Sequence, residues 1–88
     1  MYYVYILRCV DDSFYIGHTT DMSDRVMRHN EGRADCSYTI NRRPVRLDYV
    51  ETLPSRRAAV ERERQLKQWT RRKKEALIRG DMTALKRL

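Results

Sequence analysis

Five side chains able to do acid–base or electrostatic chemistry stand where the local pattern turns them inward: Tyr5, Tyr15, Arg25, His29 and Glu63. Glu63 is the most telling. From Arg56 onward Ala59, Val60 and Leu66 recur with helical spacing. With Ala59 at 0° and about 100° per residue, Leu66 falls at about 340° and Glu63 at about 40°, inside the apolar face. Glu61 falls at about 200°, on the opposite side. A carboxylate on a buried face is costly unless it is paired or holds a metal. Read alone, Glu63 is either the partner of an arginine from the sheet or a cation ligand. Tyr5 and Tyr15, read alone, are packing residues with a wet hydroxyl; Arg25 and His29 are solvated helix residues. Together the five supply what phosphodiester hydrolysis needs: a carboxylate for a divalent cation, an arginine for charge on the phosphate, and a phenol or imidazole to move a proton.

The elements that must position them follow from pattern. Tyr3 to Cys9, rich in aromatic and β-branched residues, reads as a strand. Asp11-Asp12-Ser13 is a turn by composition, and Phe14 to His18 returns as the second strand of a hairpin. Tyr3 and Tyr5 share one face of the first strand, Tyr15 and Gly17 one face of the second. A glycine within a strand marks close approach of another group. Thr20 or Asp21 caps a helix to about Glu31, stopped by Gly32. Met22, Arg25, Val26 and His29 fall within one arc of roughly 100° on it. Arg33 to Arg43 reads as a polar loop and Val45 to Val50 as a third strand. Helices are expected from about Arg56 to Gln68, from Arg71 to Arg79 behind the cap Thr70, and from the cap Asp81 through Leu85. Three strands cannot bury both sheet faces alone. The expected fold is one α/β (α+β) domain over residues 1–88, a central three-stranded, mainly antiparallel sheet flanked by helices.

Charge is unevenly spread. The 88 residues hold 19 Lys and Arg against 12 Asp and Glu, net +7. Up to Pro54 there are 7 basic and 8 acidic residues; from Ser55 there are 12 and 4. The whole excess sits in the last third, the footprint of an anion-binding surface, most often for nucleic acid. Arg71, Arg72, Lys73 and Lys74 form a basic run at a helix start, with Arg62, Arg64 and Lys67 on the preceding helix. These seven are the expected nucleic-acid contacts; the competing reading is a solvated face. No apolar run approaches the roughly 20 residues of a membrane span. The first residues lack the basic start of a secretory signal, so a soluble, cytoplasmic protein is expected. The two cysteines, Cys9 and Cys36, form no CxxC pair. With His18 and His29 they match no zinc knuckle, and Cys9 reads as a core residue.

Tyr3-Val4-Tyr5 and Tyr15-Ile16-Gly17, separated by nine residues, resemble the paired signature of the GIY-YIG nuclease family. Arg25-Val26-Met27-Arg28-His29-Asn30, Arg43-Pro44-Val45, Ala59 with Glu63 and Leu66-Lys67, Trp69 to Lys74, and Leu77-Ile78 follow that family's order over nearly the whole chain. The chain resembles most its small stand-alone bacterial members. It departs in carrying Tyr3 for the first glycine of the signature and no asparagine after Glu63.

The resemblance implies roles. Tyr5 matches the tyrosine that acts on the attacking water, Tyr15 the second active-site tyrosine, and Gly17 the glycine of the motif. His18 stands where some relatives carry an active-site lysine, Arg25 matches the arginine on the scissile phosphate, and His29 a histidine near the site. Glu63 matches the single metal-binding carboxylate, for one Mg²⁺ or Mn²⁺. The implied function is a metal-dependent endonuclease acting on nucleic acid, DNA before RNA, in repair or recombination. The alternative is a non-catalytic nucleic-acid-binding module on the same fold. Targeting is expected to fall to the C-terminal helices or to a protein partner.

Overall fold

The structure, a computed structural model, describes residues 1–32, 39 and 41–87. The expected loop from Arg33 to Arg43 lies mostly outside the described residues, and Cys36 with it.

The element order is β1 (Tyr2–Arg8), β2 (Phe14–Thr19), α1 (Met22–Glu31), β3 (Arg46–Leu53), α2 (Arg56–Lys67), α3 (Arg71–Arg79) and α4 (Met82–Arg87). The sheet order is β2-β1-β3, and both pairings are antiparallel. The hairpin turn closes as its composition predicts. Cys9 N–H donates to the Ser13 carbonyl at 2.8 Å, and Asp12 takes the left-handed conformation at φ 71°, which Asp tolerates better than most residues. Asp21 caps α1 by accepting from the Asp24 N–H, and Gly32 ends it in the left-handed conformation. Ser55 and Thr70 cap α2 and α3 in the same way, accepting from Ala58 N–H and Lys73 N–H.

β3 starts one residue later than expected and runs three further, because β1 continues to offer partners as far as Tyr2 opposite Leu53. Its simple alternation fails at a bulge. Ile6 faces Tyr49, Leu7 faces Leu47, and Asp48 is the extra residue. Leu47 and Val50, three apart, therefore share one face, whereas Tyr49 turns to the other.

Each face has its own core. On one, Val4, Ile6 and Ile16 pack with Ala59 and Leu66 of α2 and Leu77 of α3. On the other, Tyr5, Leu7, Cys9 and Val45 pack with Tyr15 and with Met22 and Val26 of α1. Cys9 is a buried core residue as expected, and burial pushes its thiol pKa up. An ion-pair cluster ties the hairpin to α3. Arg8 bonds Asp48 at 2.6 Å, Asp12 at 2.6 Å and Glu75 at 3.1 Å. Arg71 bonds Asp12 at 2.9 Å and Glu75 at 3.3 Å. Both guanidinium groups lie against the Phe14 ring, at 4.7 and 4.4 Å from its centre.

Candidate active site

Tyr5 is the centre of the α1-side group. It is 1% exposed, and its cross-strand partner is Gly17. A Cβ on Gly17 would sit 2.5 Å from the Tyr5 hydroxyl oxygen, 2.8 Å from Cζ and 3.2 Å from Cε1 of Tyr15. The glycine exists to let the phenol lie across the strand, the close approach that a mid-strand glycine signals. Tyr15, two residues earlier on the same face, brings its ring centre to 6.3 Å from that of Tyr5.

α1 supplies the next two groups. His29, in its last turn, is fully buried. Its ring centre is 4.8 Å from that of Tyr15, and Nε2 lies 3.5 Å from the Tyr5 hydroxyl oxygen. Nδ1 lies 2.7 Å from Oγ1 of Thr39. Arg25 stands one helical turn before His29 on the same face and is half-buried. The helical arc expected for Met22, Arg25, Val26 and His29 thus does face the sheet.

Glu63 behaves as the helical wheel predicts. It lies between Ala59 and Leu66, both fully buried, and its side chain is 20% exposed against 64% for Glu61. Its partner from the sheet is a histidine rather than an arginine. His18 Nδ1 is 2.7 Å from Oε1, and Lys67 Nζ is 2.9 Å from Oε2. Burial pushes the carboxyl pKa up, but His18 and Lys67 outweigh it and hold Glu63 below the ordinary carboxylate range. Glu63 is thus kept as an anion. Among the described residues no three His, Cys, Asp or Glu side chains cluster as metal ligands. One ionised carboxylate beside an imidazole fits a hard cation that keeps most of its water, the habit of Mg²⁺. It does not make a closed all-protein cage.

The two groups occupy opposite faces of the sheet. Tyr15 and Gly17 turn toward α1, and His18, between them and Thr19, turns toward α2. His18 therefore serves Glu63, and the imidazole beside Tyr5 is that of His29. Among the described residues β2 is an edge strand, so the groups on its two faces flank one edge of the sheet. The residue that sequence reasoning missed is Thr39. Its only signal was its place in a polar segment before Arg43-Pro44.

The seven basic residues divide. Arg62 is held by Glu51 and Gln65 and lies 5.2 Å from the Trp69 ring centre. Lys67 is held by Glu63, and Arg71 by Asp12 and Glu75. Among the described residues Arg64, Arg72, Lys73 and Lys74 have no carboxylate partner, although Lys73 lies 4.4 Å from the Trp69 ring centre. Burial first, and then Arg71, lowers the Lys74 pKa.

The family model for the GIY-YIG catalytic domain matches residues 1–76, from β1 into α3. The chain belongs to the GIY-YIG family. It is 44% identical over 77 residues to a UPF0213 protein of Bacillus pumilus, covering 88% of this chain and 78% of that one. It is 43% identical over 78 residues to one of Halobacterium salinarum, covering 89% of this chain and 100% of that one. The solution NMR structure of a UPF0213 protein from Bacillus halodurans superposes with a TM-score of 0.58 at 41% identity. That match covers 92% of this chain and 86% of that chain. No helix among the described residues is long and apolar enough to cross a membrane.

Proposed function

We propose that this protein is a metal-dependent endonuclease that hydrolyses phosphodiester bonds in DNA. The observation that carries the reading is the pairing of a buried phenol, packed across a glycine and against His29, with an ionised carboxylate on the other face of the same edge strand. In this reading the strand edge receives the nucleic-acid backbone. Tyr5 passes its phenol proton to Nε2 of His29 as its oxygen takes one from the attacking water, and Tyr15 with His29 confines that oxygen to one position. Arg25 binds the scissile phosphate. His18 orients Glu63, the anchor for one Mg²⁺ or Mn²⁺. The bound cation supplies neutralising charge at the phosphate. Arg64, Arg72, Lys73 and Lys74 hold the flanking backbone through charge rather than base contacts. Branched intermediates of repair or recombination are the substrates such backbone recognition suits, and a protein partner can supply further targeting.

One observation favours a second reading. Both oxygens of Glu63 are already engaged, by His18 and Lys67, so the carboxylate is satisfied without a cation. A non-catalytic nucleic-acid-binding module would look the same there. The experiment incubates purified protein with supercoiled plasmid, branched DNA, single strands and RNA, with Mg²⁺, Mn²⁺ or EDTA. The endonuclease reading expects nicking that needs metal and is lost in Glu63→Gln but kept in Glu61→Gln. Affinity without cleavage in every metal would establish the binding module instead.

A further inference from the structure

Thr39 follows His29 by ten residues and is fully buried against it. Its hydroxyl oxygen lies 2.7 Å from Nδ1, a short and well-formed hydrogen bond. The opposite ring nitrogen, Nε2, lies 3.5 Å from the Tyr5 hydroxyl oxygen. That contact is long, and small rotations of the imidazole decide whether it is a hydrogen bond at all. A neutral imidazole has one donor and one acceptor nitrogen, so the role that Nδ1 takes toward the Thr39 hydroxyl, a group able to donate or accept, sets the role of Nε2. The Tyr15 ring, 4.8 Å away, limits the tilt of the imidazole but says nothing about its proton.

We propose that Thr39 is the positioning residue of the Tyr5–His29 pair. Its hydroxyl oxygen accepts the Nδ1–H of His29, fixes that tautomer and keeps the Nε2 lone pair turned to the Tyr5 hydroxyl. Tyr5 then has a fixed acceptor for its own proton. Thr39 itself touches neither substrate nor metal. This rests on the endonuclease reading for its consequence in catalysis, but the tautomer is a property of the resting protein.

The test uses protein labelled with ¹⁵N-histidine. The chain has two histidines, and His18→Gln assigns the remaining signals to His29. Multiple-bond ¹H–¹⁵N spectra are expected to show a protonated Nδ1 and an unprotonated Nε2 at His29. Thr39→Val, which keeps the shape and removes the hydroxyl, is expected to abolish that single tautomer; Thr39→Ser is expected to restore it. In the nicking assay Thr39→Val should lower kcat by roughly ten-fold or more with little change in KM, the pattern of a misplaced reacting group, and Thr39→Ser should rescue it. A wild-type His29 protonated on Nε2 overturns the proposal, and so does a Thr39→Val protein that keeps the Nδ1–H form. If Thr39→Val does not fold, the wild-type tautomer and Thr39→Ser still decide. If no form cleaves nucleic acid, the endonuclease reading fails while the tautomer still tests the positioning role.

Discussion

Replacing Gly17 with alanine adds one methyl group at the most crowded point of the site. That carbon would meet the Tyr5 hydroxyl oxygen at 2.5 Å and Cζ at 2.8 Å. Ordinary contacts between such atoms are about 3.5–4.0 Å, so the ring must retreat by roughly 1 Å. Tyr5 is 1% exposed and packs in one cluster with Leu7, Cys9, Val45, Tyr15, Met22 and Val26, so the ring has little room to move. Overfilling a packed core costs about 1–3 kcal/mol. Removing a glycine from a strand returns about 0.5–1 kcal/mol. The net expectation is a loss of about 1–2 kcal/mol, or a fall in Tm of roughly 5–15 °C for a domain of this size. Tyr5→Phe removes the closer of the two clashing atoms and leaves the other. The double variant Tyr5→Phe/Gly17→Ala should therefore be more stable than the sum of the single changes by about 0.5 kcal/mol or more. A ring displaced by about 1 Å should also slow nicking by around 10²-fold. Thermal melts of the four proteins and plasmid nicking at saturating Mg²⁺ measure both. A Gly17→Ala protein that melts at or above wild type, or nicks at the wild-type rate, would refute the crowding argument.

Glu63→Gln should abolish metal-dependent nicking while its Tm shifts by no more than about 1 kcal/mol equivalent, since the lost ion pairs are partly solvated; a collapse of the fold would instead make Glu63 a structural residue. Asp48 is held below the ordinary carboxylate range because the bonds from Arg8 and Arg46 outweigh its burial. A depressed folded-state pKa gives stability that is complete above the unfolded value near 4 and is lost as pH falls through the folded value. Melts from pH 7 to pH 3 should show that loss, and Asp48→Asn should reduce it; an unchanged acid profile would contradict the assignment. Arg72→Ala should weaken binding to all DNA sequences about equally and lower the salt slope by about 1. Arg71→Ala should chiefly lower Tm, because Arg71 is tied to Asp12 and Glu75; equal effects of the two variants on affinity would erase the distinction.

Much of this was legible in the residues. The mid-strand Gly17 announced a close approach, and Tyr5 is what approaches. The helical wheel put Glu63 inward and Glu61 outward, and the side chains follow it. Caps at Asp21 and Thr70 marked the helix starts because each offers a side-chain oxygen to a free N–H. What was not legible depends on contacts distant in the chain. The bulge at Asp48 breaks a visible alternation to give Arg8 a buried carboxylate, which local pattern cannot foresee. The separation of Tyr5 and Glu63 onto two faces follows from which helix crosses which face, a matter of topology. The pairing of Arg62, Lys67 and Arg71 with carboxylates depends on neighbours from β3, the same helix and the hairpin turn, so a count of charges overstates the free cations. Thr39 gave no signal because a lone threonine in a polar segment has no pattern.

β1 is the middle strand of the sheet, yet it precedes every one of its partners in the chain. During synthesis it meets β2 early, but a lone two-stranded hairpin is marginal in water. β3 and the apolar face of α2, which bury its remaining edge and its other side, are made long afterwards. Until then Tyr3-Val4-Tyr5-Ile6-Leu7, without a charge, proline or glycine, is the kind of segment that joins strands from other chains. Arg8 closes that segment. The residue that anchors three carboxylates in the finished protein is, in the nascent one, the charge that guards the strand against aggregation.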